Sequence, residues 1–245
     1  MAARYIINGE LTESAHLTPD LISKCSFNVG APSAIKINDD ESGTNKTRTT
    51  PPIQYYQKFV EITYPSGEKS TSCILPGCVV HHDVHDYFGK PSVYVGVPQG
   101  IVAQLRGKLS SSGHSPQFQD KRILSDSKYW WNRYSQVEAV EGKEYIRMWD
   151  GKDEEYYGSF ADLFVDYPTS LLANVTCTLK LKGETPAGEL LKGNEEWRMG
   201  MQISMLTPYD SIEVDPPSSG SGQRSIAGQK DKIKPGLAKF KKAPQ

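Results

Sequence analysis

Hydrophobic and polar residues alternate most regularly in the last third of the chain. Every second residue between 174 and 182 is apolar, and the intervening residues are Thr or Lys. Residues 197–205 repeat the pattern, with Trp, Met and Ile alternating with Arg, Gln and Ser. A period of two predicts strands with one buried and one solvent-facing side. The two segments therefore predict a hairpin with a long loop, ending at Pro208.

Shorter β-rich runs precede this hairpin. Residues 54–64 and 69–75 flank a Pro-Ser-Gly-Glu turn signal at 65–68. Residues 92–97 form another run between two prolines, and residues 137–149 divide into two pieces around a glycine. These segments predict an antiparallel, strand-rich domain.

Helical spacing is restricted to one segment, residues 158–165, where Phe160, Leu163 and Phe164 are spaced for a single helix face. Residues 30–52 and 107–128 are polar and predict long loops. The fold class predicted is mostly β, an OB-like antiparallel barrel with long inserted loops and one or two short helices. A jelly-roll sandwich accounts for the short strands and the prolines equally well.

Length and charge divide the chain into a body and a tail. A chain of 245 residues is one large domain, or one domain plus appendages. From Arg224 onward it carries seven basic residues and one acid, a net charge of +6, whereas the rest carries −7. Residues 216–222 are Pro, Ser and Gly, a composition typical of flexible coil. We predict a β-rich domain over 1–215 and a flexible linker with a basic tail over 216–245. We expect the basic tail to bind phosphate groups.

Other function classes lack their sequence signals. The chain has no apolar run of signal-peptide or membrane-span length and only four Cys, which predicts an intracellular, non-secreted protein with reduced thiols and no membrane partner. Nucleotide-binding loops, zinc-protease motifs and serine-hydrolase elbows are all missing from the sequence. We therefore predict a protein that is not an enzyme and needs no cofactor.

Cysteine and histidine cluster between residues 73 and 85. Thiolate and imidazole at short spacing suit tetrahedral zinc, and the candidate ligands are Cys73, Cys78, His81 and His85. The spacing differs from known zinc fingers, and Cys73 lies in an apolar run where cysteine acts as a small hydrophobe. We therefore favour a His-rich turn at a strand end and keep zinc as the alternative.

An aromatic and basic segment, Lys-Tyr-Trp-Trp-Asn-Arg-Tyr, spans residues 128–134. Unpaired bases stack on aromatic rings while Lys and Arg contact phosphates, so this composition suits single-stranded nucleic acid. Alternation along a strand would bury one of Trp130 and Trp131 and expose the other as a stacking platform. The polar face of the predicted hairpin adds Lys and Arg residues and no acid.

Together these features resemble the OB-fold single-stranded-DNA-binding proteins of replication, and the closing hairpin is similar in pattern to the last strands of such proteins in large DNA viruses. The basic tail departs from the acidic, partner-recruiting tail that such proteins often carry. The resemblance implies sequence-independent binding of single-stranded nucleic acid, most simply DNA, in replication or repair, by a monomer or a homo-oligomer. The predicted binding residues are Lys121, Arg122, Lys128, Tyr129, Trp130, Trp131, Arg133, Tyr134, Lys180, Lys182, Arg198, Lys239, Lys241 and Lys242. The alternatives are a viral coat protein whose basic tail contacts packaged nucleic acid, and an adaptor domain that binds only proteins.

Overall fold

A computed structural model describes residues 5–7, 10–12, 16–38, 53–87, 90–118, 128–135, 138–140, 143–149, 155–193 and 195–214. Its helices are α1 (Pro19–Lys24), α2 (Gln99–Ser111) and α3 (Phe160–Asp166). Its strands are β1 (Tyr5–Ile7), β2 (Glu10–Thr12), β3 (Ser26–Val29), β4 (Ser33–Asn38), β5 (Ile53–Thr63), β6 (Lys69–Ser70), β7 (Ser72–Val80), β8 (His85–Tyr87), β9 (Lys90–Pro98), β10 (Tyr129–Ser135), β11 (Glu138–Val140), β12 (Lys143–Trp149), β13 (Glu155–Gly158), β14 (Ser170–Pro186) and β15 (Arg198–Ile212).

Strand β14 is the centre of the main sheet. It pairs antiparallel with β15 along one edge. Its other edge is shared: β7 pairs with residues 171–178 and β5 with residues 180–186. The turn after β5 is closed by a hydrogen bond from the Tyr64 N–H to the Glu68 carbonyl, and β6 then leads into β7. The predicted closing hairpin and the predicted turn at 65–68 are both confirmed.

Within the described part of the chain, the sheet does not close into a barrel. Its strands run in the order β10-β9-β7-β14-β15, and β10 approaches β15 to within 8 Å between Cα atoms without forming a ladder with it. Instead β15 forms one parallel pairing with β12, between Leu206 and Met148. The mostly-β, antiparallel prediction is confirmed. Closure into an OB-like barrel is wrong, because a barrel requires every strand edge to be paired.

The main core lies on one side of this sheet, which we call the inner face. It includes the apolar set that alternation predicted on β14, among them Val175, Cys177 and Leu179. Helices α1 and α2 contact each other, and α2 also reaches β9, β10 and β3. Ile22 of α1 and Leu105 of α2 are fully buried in the same core. The opposite side of the sheet is the outer face.

Helix α3 is confirmed, whereas the prediction of a loop from residue 107 is wrong at its start. Residues 107–111 are the last turn of α2, which buries Ile101, Leu105 and Leu109 at four-residue spacing. Gly100, Gly107 and the terminal serines hide this pattern in the sequence. The prediction of a loop over 30–52 is likewise wrong for β4, and residues 39–52 and 119–127 lie outside the described part of the chain. The predicted tail over 216–245 also lies outside it.

Candidate nucleic-acid interface

The predicted aromatic segment forms strand β10, and two of its rings are buried on the inner face. Trp130 is 5% exposed and packs against Phe118, with ring centroids 5.2 Å apart. Tyr134 packs edge-on against Phe160 at 5.7 Å. Both rings belong to the main core. The prediction that Trp130 and Tyr134 stack on bases is therefore wrong, because neither ring offers a face to a ligand.

Trp131 points to the outer face but is buried as well, at 2% exposure. Its ring lies against the backbone of Gly96 and 5.5 Å from the half-buried ring of Tyr129. The outer cluster consists of Val79, Tyr94 and Trp131, against which Tyr129, Leu172, Ile212 and Val214 pack. The expectation that one of the two indoles is an exposed platform is therefore wrong, since residues far away in sequence cover the second face.

The basic residues predicted with this segment lie in different environments. Arg133 is half-buried, with its guanidinium carbon 5.7 Å from the centroid of the Tyr94 ring. Lys128 is exposed at the start of β10, where its carbonyl accepts a hydrogen bond from the Gln99 N–H at 3.0 Å. The predicted residues outside the described part of the chain are Lys121, Arg122, Lys239, Lys241 and Lys242.

The cysteines and histidines of the predicted zinc alternative lie on opposite faces. Cys73 and Cys78 are fully buried in the main core, and the Cys73 Sγ lies 3.9 Å from the Cys177 Sγ on β14. A hydrogen bond with Cys73 and burial raise the pKa of the Cys177 thiol, so it packs as a neutral group. His81 and His85 pack instead against rings of the outer cluster. Within the described residues no three such side chains converge on a common point, and the zinc alternative is wrong.

The histidines lie in a turn after β7 that side-chain contacts hold in place. His82 Nδ1 lies 3.1 Å from Ser170 Oγ, and the rings of His81 and His82 stack at 4.6 Å. Burial lowers the pKa of both His81 and His85, and the opposing effect of the Asp83 carboxylate is smaller. Both imidazoles are therefore neutral near pH 7, which agrees with the predicted His-rich turn at a strand end.

A second surface, on the outer face of β5, β14 and β15, brings together basic and aromatic side chains. Directly opposed residues of an antiparallel ladder share one face. One row across the sheet is therefore Phe59, Lys180 and Gly200, and the next is Gln57, Lys182 and Arg198. Tyr55 follows on β5. We call this set the outer-face patch; its members are Tyr55, Gln57, Phe59, Lys180, Lys182 and Arg198.

The charges of the two lysines of the outer-face patch interact, and Lys180 is also partly desolvated. Burial, and secondarily the charge of Lys182, lowers the pKa of Lys180. The Lys180 Nζ donates a hydrogen bond to Gln202 Oε1 at 3.1 Å. Gly200 lets the Lys182 side chain lie across β15, because a Cβ at this position would lie 2.8 Å from Lys182 Cε. Two adjacent ammonium groups of this kind favour an anionic ligand, whose charge would offset their mutual repulsion.

Arg198 differs from the lysines because it already has a carboxylate partner. Its Nη2 lies 2.8 Å from Glu184 Oε1, and the two side chains are 43% and 45% exposed. Glu184 lies two residues after Lys182 on the same face of β14, opposite Tyr55 on β5. Strand β14 continues to Pro186, beyond the predicted strand end at Lys182, so the face carries an acid that the predicted hairpin did not include.

Phe59 is not among the binding residues predicted from the sequence. It is the most exposed ring of the outer-face patch, at 38%. It lies directly opposite Lys180, and the half-buried Tyr55 lies opposite Glu184. Alternation would place Tyr55, Gln57 and Phe59 on one face of a strand. The signal is weak because aromatic residues occur on both faces of β5, so the sequence does not reveal which face is solvated.

Comparison with protein-family models, with curated protein sequences and with solved structures finds no match to this chain. The helices in its described part are all too short or too polar to cross a membrane.

Proposed function

We propose that this protein binds single-stranded nucleic acid through the outer-face patch and catalyses no reaction. The observation that carries the proposal is the row in which the exposed ring of Phe59 lies directly opposite Lys180, with Lys182 two residues further along β14. A ring beside paired ammonium groups supplies the two contacts that an unpaired nucleotide needs, stacking for the base and charge for the phosphate.

Each part of the outer-face patch has a role in this proposal. The bases stack on Phe59 and Tyr55. The phosphates contact Lys180 and Lys182, and a phosphate near them relieves the unfavourable desolvation and repulsion that lower the Lys180 pKa. Gln57 adds a neutral hydrogen-bonding group between the two rings. None of these contacts depends on base identity, so binding is independent of sequence.

Single strands fit this surface better than duplexes do. A base can stack on a ring only when its own face is free, and in a duplex neighbouring bases occupy that face. The basic tail adds charge that follows the phosphate backbone of either form, since from Arg224 onward it carries a net +6. We therefore infer that both the tail and the patch contribute to the affinity. The patch alone confers the preference for single strands.

The test is a titration of a fluorescein-labelled thymidine oligomer followed by anisotropy at several salt concentrations. Removing both patch lysines, Lys180→Gln with Lys182→Gln, should reduce the slope of log K against log salt by about 1.4, since each phosphate contact on a single strand contributes about 0.7. The matched control removes two lysines on the helices, Lys24→Gln with Lys108→Gln, and should leave the slope unchanged.

The contribution of stacking is tested by Phe59→Ala in the same titration. Loss of one stacked base should weaken binding by about 1–3 kcal/mol without changing the salt slope. If the patch variant and its control have equal slopes, and Phe59→Ala binds with full affinity, the strand binds elsewhere on the protein.

A further inference from the structure

The ion pair between Arg198 and Glu184 has a consequence for how the outer-face patch holds a strand. Arg198 lies directly opposite Lys182, in the row next to Lys180. Its guanidinium would be a third phosphate contact, but the Glu184 carboxylate is within 2.8 Å of it. A phosphate that reaches Arg198 must therefore displace Glu184.

We propose that Glu184 is an internal competitor of the nucleic-acid phosphates and limits the affinity of the patch by occupying Arg198. This inference rests on the proposed function. The carboxylate mimics the charge of a phosphate oxygen, and both groups bind a guanidinium through the same planar hydrogen-bonding geometry.

Exchange of the carboxylate for a phosphate at Arg198 is close to balanced in free energy. Both side chains of the pair are partly exposed, and ion pairs at solvated positions are weak and screened by salt. A strand already held by Lys180 and Lys182 can therefore replace the carboxylate at Arg198 at little cost. The displaced Glu184 then lies beside a bound phosphate, where like-charge repulsion favours release of the strand.

This arrangement makes Arg198 an adjustable contact. Binding at Arg198 leaves the Glu184 carboxylate beside the strand, so less net positive charge reaches the phosphates and fewer of their counterions are released. In the wild-type protein the residue should contribute little to either affinity or salt dependence. Removing the carboxylate should turn Arg198 into a full phosphate contact.

The experiment compares Glu184→Gln with wild type in the anisotropy titration of the thymidine oligomer, using the full chain. Glu184→Gln should tighten binding about three- to fivefold and steepen the salt slope by about 0.7. The matched control is Asp20→Asn, which removes a carboxylate from a surface ion pair with Lys24 (2.7 Å) on helix α1. It should change neither quantity.

A double-mutant cycle with Arg198→Gln identifies the mechanism. Arg198→Gln should weaken binding more in the Glu184→Gln background than in wild type, because only there is the guanidinium fully available. If Glu184→Gln and Asp20→Asn give the same affinity and slope, the competitor role is wrong. If the wild-type protein fails to bind the oligomer at all, the proposed function fails first, so the two failures are distinguishable.

Discussion

The close contact between Gly96 and Trp131 gives a prediction that tests the burial of the aromatic strand. A Cβ added at Gly96 would lie 2.9 Å from Trp131 Cζ3 and 3.0 Å from both Trp131 Cε3 and Tyr129 Cβ. Real Cβ atoms essentially never approach other heavy atoms below 3.0 Å. The Gly96→Ala variant must therefore move the indole or the strand that carries it.

The magnitude follows from how firmly Trp131 is held. The ring is enclosed by Tyr129, Leu172 and Ile212, so it cannot swing away freely. Adding a methyl group to a packed site of this kind costs about 1–3 kcal/mol of unfolding free energy. The same substitution at Gly107, in α2, meets no heavy atom within 4 Å and should instead stabilise the fold by about 0.5–1 kcal/mol.

Urea denaturation followed by far-UV circular dichroism measures both variants against wild type. Gly96→Ala should lower the midpoint and also alter the near-UV signal of the indole, whereas Gly107→Ala should raise the midpoint and leave that signal unchanged. A Gly96→Ala variant as stable as wild type, with an unchanged near-UV spectrum, would refute the placement of Trp131 on Gly96. The ring could then again be considered a surface platform.

Two further predictions concern buried titratable groups. The folded-state pKa values of His81 and His85 are below the ordinary value of 6.5, so the unfolded chain binds more protons as the pH falls through that value. Stability should be fully present above about pH 6.5 and decrease below it; a urea midpoint that does not fall between about pH 7.5 and pH 5.5 would contradict the burial of these rings. The four thiols should resist a disulfide reagent until urea unfolds the chain, because all four are buried; rapid labelling of the folded protein would contradict this packing. The thiols concerned are Cys25, Cys73, Cys78 and Cys177.

Strands and their buried faces are predicted best from the sequence where a strand has one buried and one solvated face. Strand β14 alternates because its inner residues enter the main core while Lys180 and Lys182 face solvent, so period and burial coincide. The closing hairpin follows directly from that pattern. Pro208 does not end β15 as predicted, since a register shift near Ala173 lets the ladder continue to Ile212.

Prediction failed where burial depends on residues that are distant in sequence. Alternation correctly assigns Trp130 and Trp131 to opposite faces, but it cannot show that Leu172 and Ile212 cover the second face. The Phe59 ring is the opposite case: aromatic residues occur on both faces of β5, and only the tertiary fold leaves this ring exposed. Local patterns therefore identified the basic half of the candidate site and misplaced its aromatic half.

Photo-crosslinking to an oligomer that carries 5-iodouracil tests the central claim most directly, because the modified base bonds preferentially to an aromatic ring in contact with it. Peptide mapping should locate the crosslink within residues 53–63, at Phe59 or Tyr55, and the yield should fall in the Lys180→Gln, Lys182→Gln variant. A crosslink within residues 129–134 instead, or the absence of any crosslink to residues 53–63 under conditions where the oligomer is bound, would contradict the outer-face patch as the binding surface.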